Sequence, residues 1–168
     1  MTDGLPDDAA LDPTELGAFF ALTEVSSLLQ HAVEQQLRSV GLTTVQFKIL
    51  MSLFEAPEGR LRMTDLADAL VVSRSGLTYQ AGLLENAGLV SRSPSPDDDR
   101  STTLGLTTAG RERILAILPG HVDVVRRLLL DPLDRADLDA LAALLVRVRD
   151  HMRTDPPRSA ASRGRRRQ

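Results

Sequence analysis

Cysteine and tryptophan are absent from this 168-residue chain, and aromatic residues make up only 3% of it. The lack of cysteine excludes disulfide bonds, thiol redox sensing and cysteine-based zinc sites. With so few aromatics, the core must consist of leucine, valine and alanine, a composition that favours helix. No apolar run approaches the roughly 20 residues that cross a bilayer. The acidic start lacks a basic region followed by an apolar one, so we expect no signal peptide, no membrane partner and a cytoplasmic location.

Charge is unevenly distributed along the chain. The formal net charge is −3, which by itself argues against a nucleic-acid partner. The segment 154–168, however, carries five arginines against one aspartate. We therefore expect any polyanion to be met by local arginines and not by a globally basic surface.

Apolar spacing predicts two helices in the first third of the chain. After an acidic leader over residues 1–13, steps of three and four predict a helix from Thr14 that Gly41 ends. The segment "LTTVQFKILMSLFEA" predicts a second helix with Thr43 as N-cap. The segment "PEGRLRM" then predicts a turn and a short extended piece.

Two further segments predict a helix-turn-helix. "TDLADAL" suits a short helix with Thr64 as N-cap, and "VVSRSGLTYQAGLLENAGL" suits a longer one that begins after Ser73 and stops at Gly88. The second helix has one apolar face and one small, polar face. A short helix, a tight turn and such a helix are typical of helix-turn-helix geometry.

A β-hairpin follows directly. Val90 to Arg92 is a strand candidate, and Thr102 to Leu106 alternates Thr and Gly outward with leucines inward. The segment "SPSPDDDRS" joins the two strands. A hairpin in this position is a wing.

The C-terminal third predicts helices that pair with a second copy. A helix capped by Thr107 or Thr108 should be kinked or interrupted at Pro119-Gly120, and a last helix opens at Asp134. The last helix has an apolar seam at Leu138, Leu141, Leu145, Val148 and Met152. Because a small winged domain leaves the terminal helices without enough partners, pairing across a two-fold axis is the economical solution.

The predicted fold class is therefore mainly α with a small β-hairpin wing. A winged helix-turn-helix domain is flanked by N- and C-terminal dimerisation helices. The predicted boundaries are a leader (1–13), a first dimerisation helix (14–41), the winged domain (42–106, with its second helix at about 74–87 and its wing at about 89–106), the last dimerisation helices (107–153) and a disordered arginine-rich tail (154–168).

These segments in this order resemble the MarR family of winged helix-turn-helix transcriptional regulators. "LTTVQFKIL", "LADAL", "LTYQAGLLENAGLVSR" and "PDDDRSTTLGLTTAG" cover Leu42 to Gly110 almost without a gap. No single piece is specific, and the ordered set carries the resemblance. Its strongest part is a Pro-x-Asp-x-Arg wing followed by Leu-Thr-x-x-Gly.

The resemblance implies a homodimer with intertwined end helices that binds double-stranded DNA. Members usually repress nearby genes and release DNA when a small, often phenolic, ligand binds. By position, the recognition helix runs from about Arg74 to Asn86, Asp98 braces the wing and Arg100 reaches DNA. Many members have arginine where this chain has Tyr79 and Asp99, so two expected cations are missing from its DNA face.

The predicted site residues fall into three groups. We expect no catalytic residue, metal ligand or cofactor. A small-molecule effector is possible, but its site is unknown. The predicted DNA contacts are Lys48, Arg60, Arg62, Arg74, Ser75, Thr78, Tyr79, Gln80, Arg92, Arg100 and Ser101. The wing-bracing residue is Asp98. The predicted dimer contacts are Leu22, Leu138, Leu141, Leu145 and Val148.

Three alternatives compete with this interpretation. Asp97–Asp99 could hold Mg²⁺ or Ca²⁺, but consecutive residues in an extended tip rarely point at one ion. His31-x-x-Glu34 could hold zinc in a metal-responsive regulator, but only with ligands from elsewhere. A winged-helix module that binds proteins and has lost DNA binding is the third. No nucleophile elbow or phosphate-binding glycine loop is present, so we do not expect an enzyme.

Overall fold

A computed structural model describes residues 10–95 and 98–154, with the backbone alone described for residues 95 and 98–101. The fold is mainly helical with one small antiparallel sheet, which confirms the predicted fold class. In chain order the elements are α1 (Pro13–Ser39), α2 (Thr44–Glu55), β1 (Arg60–Arg62), α3 (Met63–Leu70), α4 (Arg74–Asn86), β2 (Val90–Ser95), β3 (Asp98–Leu106), α5 (Thr108–Val125), a π-helical turn (Arg126–Leu130) and α6 (Arg135–Thr154).

Capping residues explain where α1 and α2 begin and end. The Asp12 carboxylate accepts from the backbone N–H of Glu15 at 2.9 Å, and the Glu15 carboxylate accepts from that of Asp12 at 2.8 Å. Thr43 and Gln46 form the same reciprocal pair at the start of α2, which confirms the predicted N-cap. Between the two helices Gly41 has a φ of +75°, a conformation that ends α1 as predicted.

The second helix of the helix-turn-helix matches its prediction at both ends. The Ser73 hydroxyl caps α4 by accepting from the backbone N–H of Gly76 at 3.1 Å. After α4, Gly88 has a φ of +72° and turns the chain toward the wing. The turn that precedes α4 places Val71 at a φ of +54°, a left-handed conformation that is rare for a β-branched residue.

The predicted cap of α3 is wrong. The helix already begins at Met63, and the Thr64 hydroxyl donates to the Asp65 carboxylate at 3.2 Å instead of capping the helix. The reason lies in the sheet, where Arg62 pairs with Thr103. This pairing ends the extended chain at Arg62, which becomes the N-cap residue, so the helix starts two residues too early for Thr64 to cap it.

The sheet has three strands in the order β1-β3-β2, and both pairings are antiparallel. Leu104 points into the core and is fully buried, as predicted. Thr103 and Gly105 were expected to face outward but are also buried. Because β3 is the central strand, the side chains of Arg60 and Ser91 flank Gly105 from either side.

Pro119 and Gly120 do not interrupt α5, which contradicts the predicted break. The helix is continuous through both residues. Packing holds this segment in place, because the ring of His121 lies against that of Phe47 with centroids 4.4 Å apart. The irregularity comes later, as the π-helical turn, and α6 then opens after Asp134 as predicted.

The core lies where α2, α3, α4, α5 and the sheet meet. The largest fully buried side chains are Leu37, Ile49, Leu50, Leu53, Leu66, Leu77, Leu84, Leu104 and Ile114. All of these are leucine or isoleucine, which agrees with the scarcity of aromatics. The core therefore belongs to the winged domain and to the ends of α1 and α5 that touch it.

The outer helices, in contrast, expose large apolar side chains. Those on α1 and α6 include Leu16, Phe19, Phe20, Leu22, Val25, Leu28, Leu144, Leu145, Val146, Val148 and Met152. Leu22, Leu145 and Val148 of the predicted dimer contacts are 53%, 44% and 48% exposed, while Leu138 and Leu141 are half-buried. A single chain thus leaves this apolar surface uncovered.

One property of α1 departs from the prediction that no segment reaches membrane-span length. By length and composition alone α1 is able to cross a bilayer. Its most apolar 18-residue stretch has a mean hydropathy of 1.2, and 6% of that stretch is buried. Its apolar residues are interrupted by charges such as Glu24 and Glu34. A charged side chain near the bilayer centre costs roughly 3 kcal/mol, so we interpret this face as a contact for protein rather than lipid.

Candidate nucleic-acid interface

The outer face of α4 carries most of the predicted base-reading residues. Arg74, Ser75 and Thr78 are exposed, and Tyr79 is 65% exposed. The opposite face buries Leu77 and its neighbours in the core. The core therefore fixes the rotation of α4, and this rotation turns the polar residues to solvent.

Local hydrogen bonds limit what some of these side chains can do. The Thr78 hydroxyl donates to the Arg74 carbonyl at 2.8 Å, and the hydroxyls of Ser73 and Ser75 lie 3.3 Å apart. Thr78 therefore keeps its methyl group and the two acceptor lone pairs of its hydroxyl for a partner. A threonine methyl suits contact with the methyl group of thymine.

Gln80, a predicted base reader, lies in an unexpected environment, and its contact with DNA stays a prediction. Its side-chain oxygen is buried and has no hydrogen-bond partner, because the residue turns toward α1 and α2. It lines a cleft of about 210 Å³ together with Glu34, Arg38, Thr44 and the start of α2. The Thr44 hydroxyl is likewise buried without a partner.

Arg92 also lies in an unexpected environment. Its guanidinium donates to the Thr78 carbonyl at 2.9 Å, and its Nε lies 3.6 Å from the carboxylate of Glu85. The same carboxylate accepts from the backbone N–H of Arg92 at 3.2 Å. The side chain thus lies across the recognition helix, where we had expected it to face a phosphate.

The other cations among the predicted DNA contacts lie outside α4. Lys48 is exposed on α2, and Arg60 and Arg62 are exposed at the two ends of β1. The structure therefore brings Arg60 and Arg62 to the sheet that carries the wing. The side chains of Asp98, Arg100 and Ser101, and all of Asp97 and the tail 155–168, lie outside the described residues, so their predicted roles stay predictions.

The base of the wing is tied to the start of α5. The Thr107 hydroxyl donates to the Gly88 carbonyl at 2.7 Å and accepts from the backbone N–H of Gly110 at 3.0 Å. A Cβ on Gly110 would lie 2.1 Å from the Leu89 carbonyl oxygen. The Leu-Thr-x-x-Gly segment is therefore a close helix–strand contact. Its sequence signal could have identified this contact.

Metal ligation finds no support among the described residues. Across residues 10–95 and 98–154, no group of three or more His, Asp or Glu could hold an ion. His31 lies 3.0 Å from the side-chain nitrogen of Gln35, one turn along α1. His31 and Glu34 thus belong to a polar surface of α1.

An exposed recognition helix, a three-stranded sheet and a wing base held by α5 define a winged helix-turn-helix protein. The family model described as "MarR family" matches residues 42–102. The chain is 35% identical over 121 residues to the HTH-type transcriptional repressor YetL of Bacillus subtilis, covering 72% of each. The chain belongs to the MarR family of transcriptional regulators.

Two solved structures from Streptomyces coelicolor are similar over nearly the whole fold. AbsC, a MarR family transcriptional regulator, is 38% identical with a TM-score of 0.81, covering 86% of this chain and 98% of AbsC. Sco3205, solved in complex with DNA, is 32% identical with a TM-score of 0.80, covering 90% and 93%. These relatives are regulators and not enzymes.

Proposed function

We propose that this protein is a repressor that binds a pseudo-palindromic operator as a homodimer. The observation that carries DNA binding is the exposed polar face of α4, set in a fold shared with Sco3205, which was solved with DNA. The helix enters the major groove, and the wing reaches the neighbouring minor groove. Such a regulator acts where the chromosome is, so the proposed location is the cytoplasm.

Arg74 supplies a phosphate contact at the start of the recognition helix. Ser75, Thr78 and Tyr79 contact base edges or nearby phosphates. Arg100 enters the minor groove, where the potential of a narrow groove attracts arginine. Gln80 and Arg92 are left out of the contact set, because the one is turned into a cleft and the other lies across α4.

The homodimer is supported by the exposed apolar side chains of α1 and α6. Burial of about five such side chains contributes roughly 8–15 kcal/mol gross per subunit before entropy is subtracted. A two-fold axis then relates the two recognition helices. They meet the same face of the duplex when the half-sites lie about one helical turn, roughly 10 base pairs, apart.

The name of YetL as a repressor supports repression as the output. We further propose that a small-molecule effector releases the DNA. The cleft of about 210 Å³ between α1, α2 and α4 is the candidate site for such a ligand, because Gln80 and Thr44 beside it each have a buried side-chain oxygen without a hydrogen-bond partner that would turn toward the ligand. A ligand there would bias the spacing of the two recognition helices, with Gly41 as the flexible point.

Fluorescence anisotropy with a labelled duplex from upstream of the protein's own gene tests DNA binding. Arg74→Ala should weaken binding to all sequences and lower the salt dependence, the slope of log K against log salt, by about two units, one for each copy in the dimer. Arg135→Ala on α6, far along the chain from the helix-turn-helix, is the control and should bind like the wild type. Absent or salt-insensitive binding of the wild type would instead support a protein-interaction module.

A further inference from the structure

Arg92 and Glu85 form a bridge between the wing and the recognition helix, at the point where β2 leaves the turn after α4. The Glu85 carboxylate contacts Arg92 twice. It accepts from the backbone N–H of Arg92 at 3.2 Å, and it lies 3.6 Å from Nε of the Arg92 guanidinium. The guanidinium then continues along the helix and donates to the Thr78 carbonyl at 2.9 Å. One side chain thus spans two turns of α4 and holds the first strand of the wing against them.

This bridge is a partly buried ion pair. The side chains of Arg92 and Glu85 are 30% and 38% exposed, and Nε of Arg92 is buried, 3.6 Å from the Glu85 carboxylate and without a hydrogen-bond partner. Partly buried pairs are less screened by salt than exposed ones. A planar guanidinium can serve a carboxylate and a carbonyl together, which the ammonium of lysine cannot do in the same geometry.

Gly82 lies on the helix surface beneath the guanidinium. An ideal Cβ on Gly82 would lie 3.6 Å from Nη2 of Arg92, which is ordinary contact. The guanidinium therefore lies directly on the backbone of α4. Its Nη2 is used by the Thr78 carbonyl and its Nε faces Glu85.

We propose that Arg92, held by Glu85, is a positioning residue that sets the angle of the wing relative to the recognition helix. This inference rests on the proposed DNA binding of α4 and the wing. Two contacts on one duplex must keep a fixed spacing to form together, and the bridge fixes that spacing. Without it, α4 can still dock while the wing no longer reaches its groove in register.

The decisive test uses Glu85, because two explanations predict opposite signs for it. Removal of an acid near DNA raises affinity if only electrostatics matters. If the bridge positions the wing, Glu85→Ala should weaken binding on the order of tenfold, the loss of one charge-assisted contact. Asp68→Ala, which removes an exposed acid from α3 of the same helix-turn-helix, is the matched control and should not weaken binding.

Arg92→Lys is the second variant. It keeps the positive charge, so a direct phosphate contact predicts nearly wild-type affinity. A positioning role predicts a loss similar to that of Glu85→Ala, since lysine cannot form the same fork. Circular dichroism verifies that each variant remains folded.

Coupling to the wing separates positioning from a general loss of stability. In an Arg100→Ala background the wing contact is already gone, so Glu85→Ala should then cost less than about twofold. Additive losses, or an affinity of Glu85→Ala equal to or above that of the wild type, would overturn the inference. Failure of the wild type to bind any duplex would instead overturn the proposed function, and the bridge would lose its role with it.

Discussion

Among the glycines that the structure describes, Gly110 has the least room for a side chain. An added Cβ would lie 2.1 Å from a backbone oxygen of Leu89 and 2.8 Å from Leu106. Backbone atoms cannot rotate away as a flexible side chain can, so α5 would have to move off the wing base. Gly110→Ala should therefore lower the free energy of unfolding by about 2–4 kcal/mol.

Urea denaturation at one protein concentration measures this loss. Gly17→Ala is the matched control, because a Cβ there meets nothing within 4 Å and alanine favours helix. It should leave stability unchanged or slightly raised. Equal stability of the two variants would show that α5 does not pack on the wing base as described.

Val71 is strained by its own backbone conformation and not by crowding from its neighbours. Its φ of +54° is unfavourable for a β-branched residue, and its side chain is 72% exposed, so little packing offsets the strain. Val71→Gly should raise the free energy of unfolding by about 1 kcal/mol. Val71→Ala keeps a Cβ and should gain less. A thermal melt in which the glycine variant is no more stable than the wild type would contradict this account.

At the scale of elements, the contact between α2 and α5 depends on the protonation of one residue. Burial lowers the pKa of His121, whose ring lies against Phe47 and whose Nδ1 is buried without a partner. A protonated ring would add a buried donor with nothing to accept from it. The folded state therefore binds this proton less readily than the unfolded state, in which the pKa is about 6.5.

Stability should consequently fall on acidification. The contribution of neutral His121 is fully present above the unfolded pKa of about 6.5 and is lost as the pH falls through the lower folded pKa. Chemical denaturation between pH 7.5 and 5 measures the decline. His121→Gln should flatten it, whereas His31→Gln on the exposed surface of α1 should leave it in place. An unchanged decline in the His121 variant would rule out this histidine as its source.

Elements also differ in how far their bounds could be predicted. Thr43, Ser73 and Thr107 cap helices as expected, because a cap depends on residues three positions apart. Thr64 does not cap α3, since pairing of β1 with β3 decides where that helix begins. Pro119 does not break α5, since packing between α2 and α5 holds the helix together.

At the scale of the whole molecule, the exposed apolar face of α6 predicts the oligomeric state. Leu145→Asp should place a charge in the interface of each copy and shift the protein from dimer to monomer at micromolar concentration, as measured by sedimentation equilibrium. DNA affinity should fall with it, because one recognition helix alone loses half of the site. Arg147→Asp, on the opposite face of α6, should remain dimeric. A wild-type protein that sediments as a monomer would refute the dimer itself.

The sequence alone determined the order of the helices, the helix-turn-helix, the wing and the family, because periodicity, caps and turns are local properties. It also predicted Arg74, Ser75, Thr78 and Tyr79 as DNA contacts. The structure places these residues on the exposed surface of α4. Only the tertiary structure decided the surroundings of Gln80 and Arg92. Gln80 on α4 and Arg92 on β2 both lie at positions compatible with DNA, but the packing of α4 turns Gln80 into a cleft and draws Arg92 onto Glu85. Such contacts join residues from different elements, and no local pattern in the chain records where those elements meet.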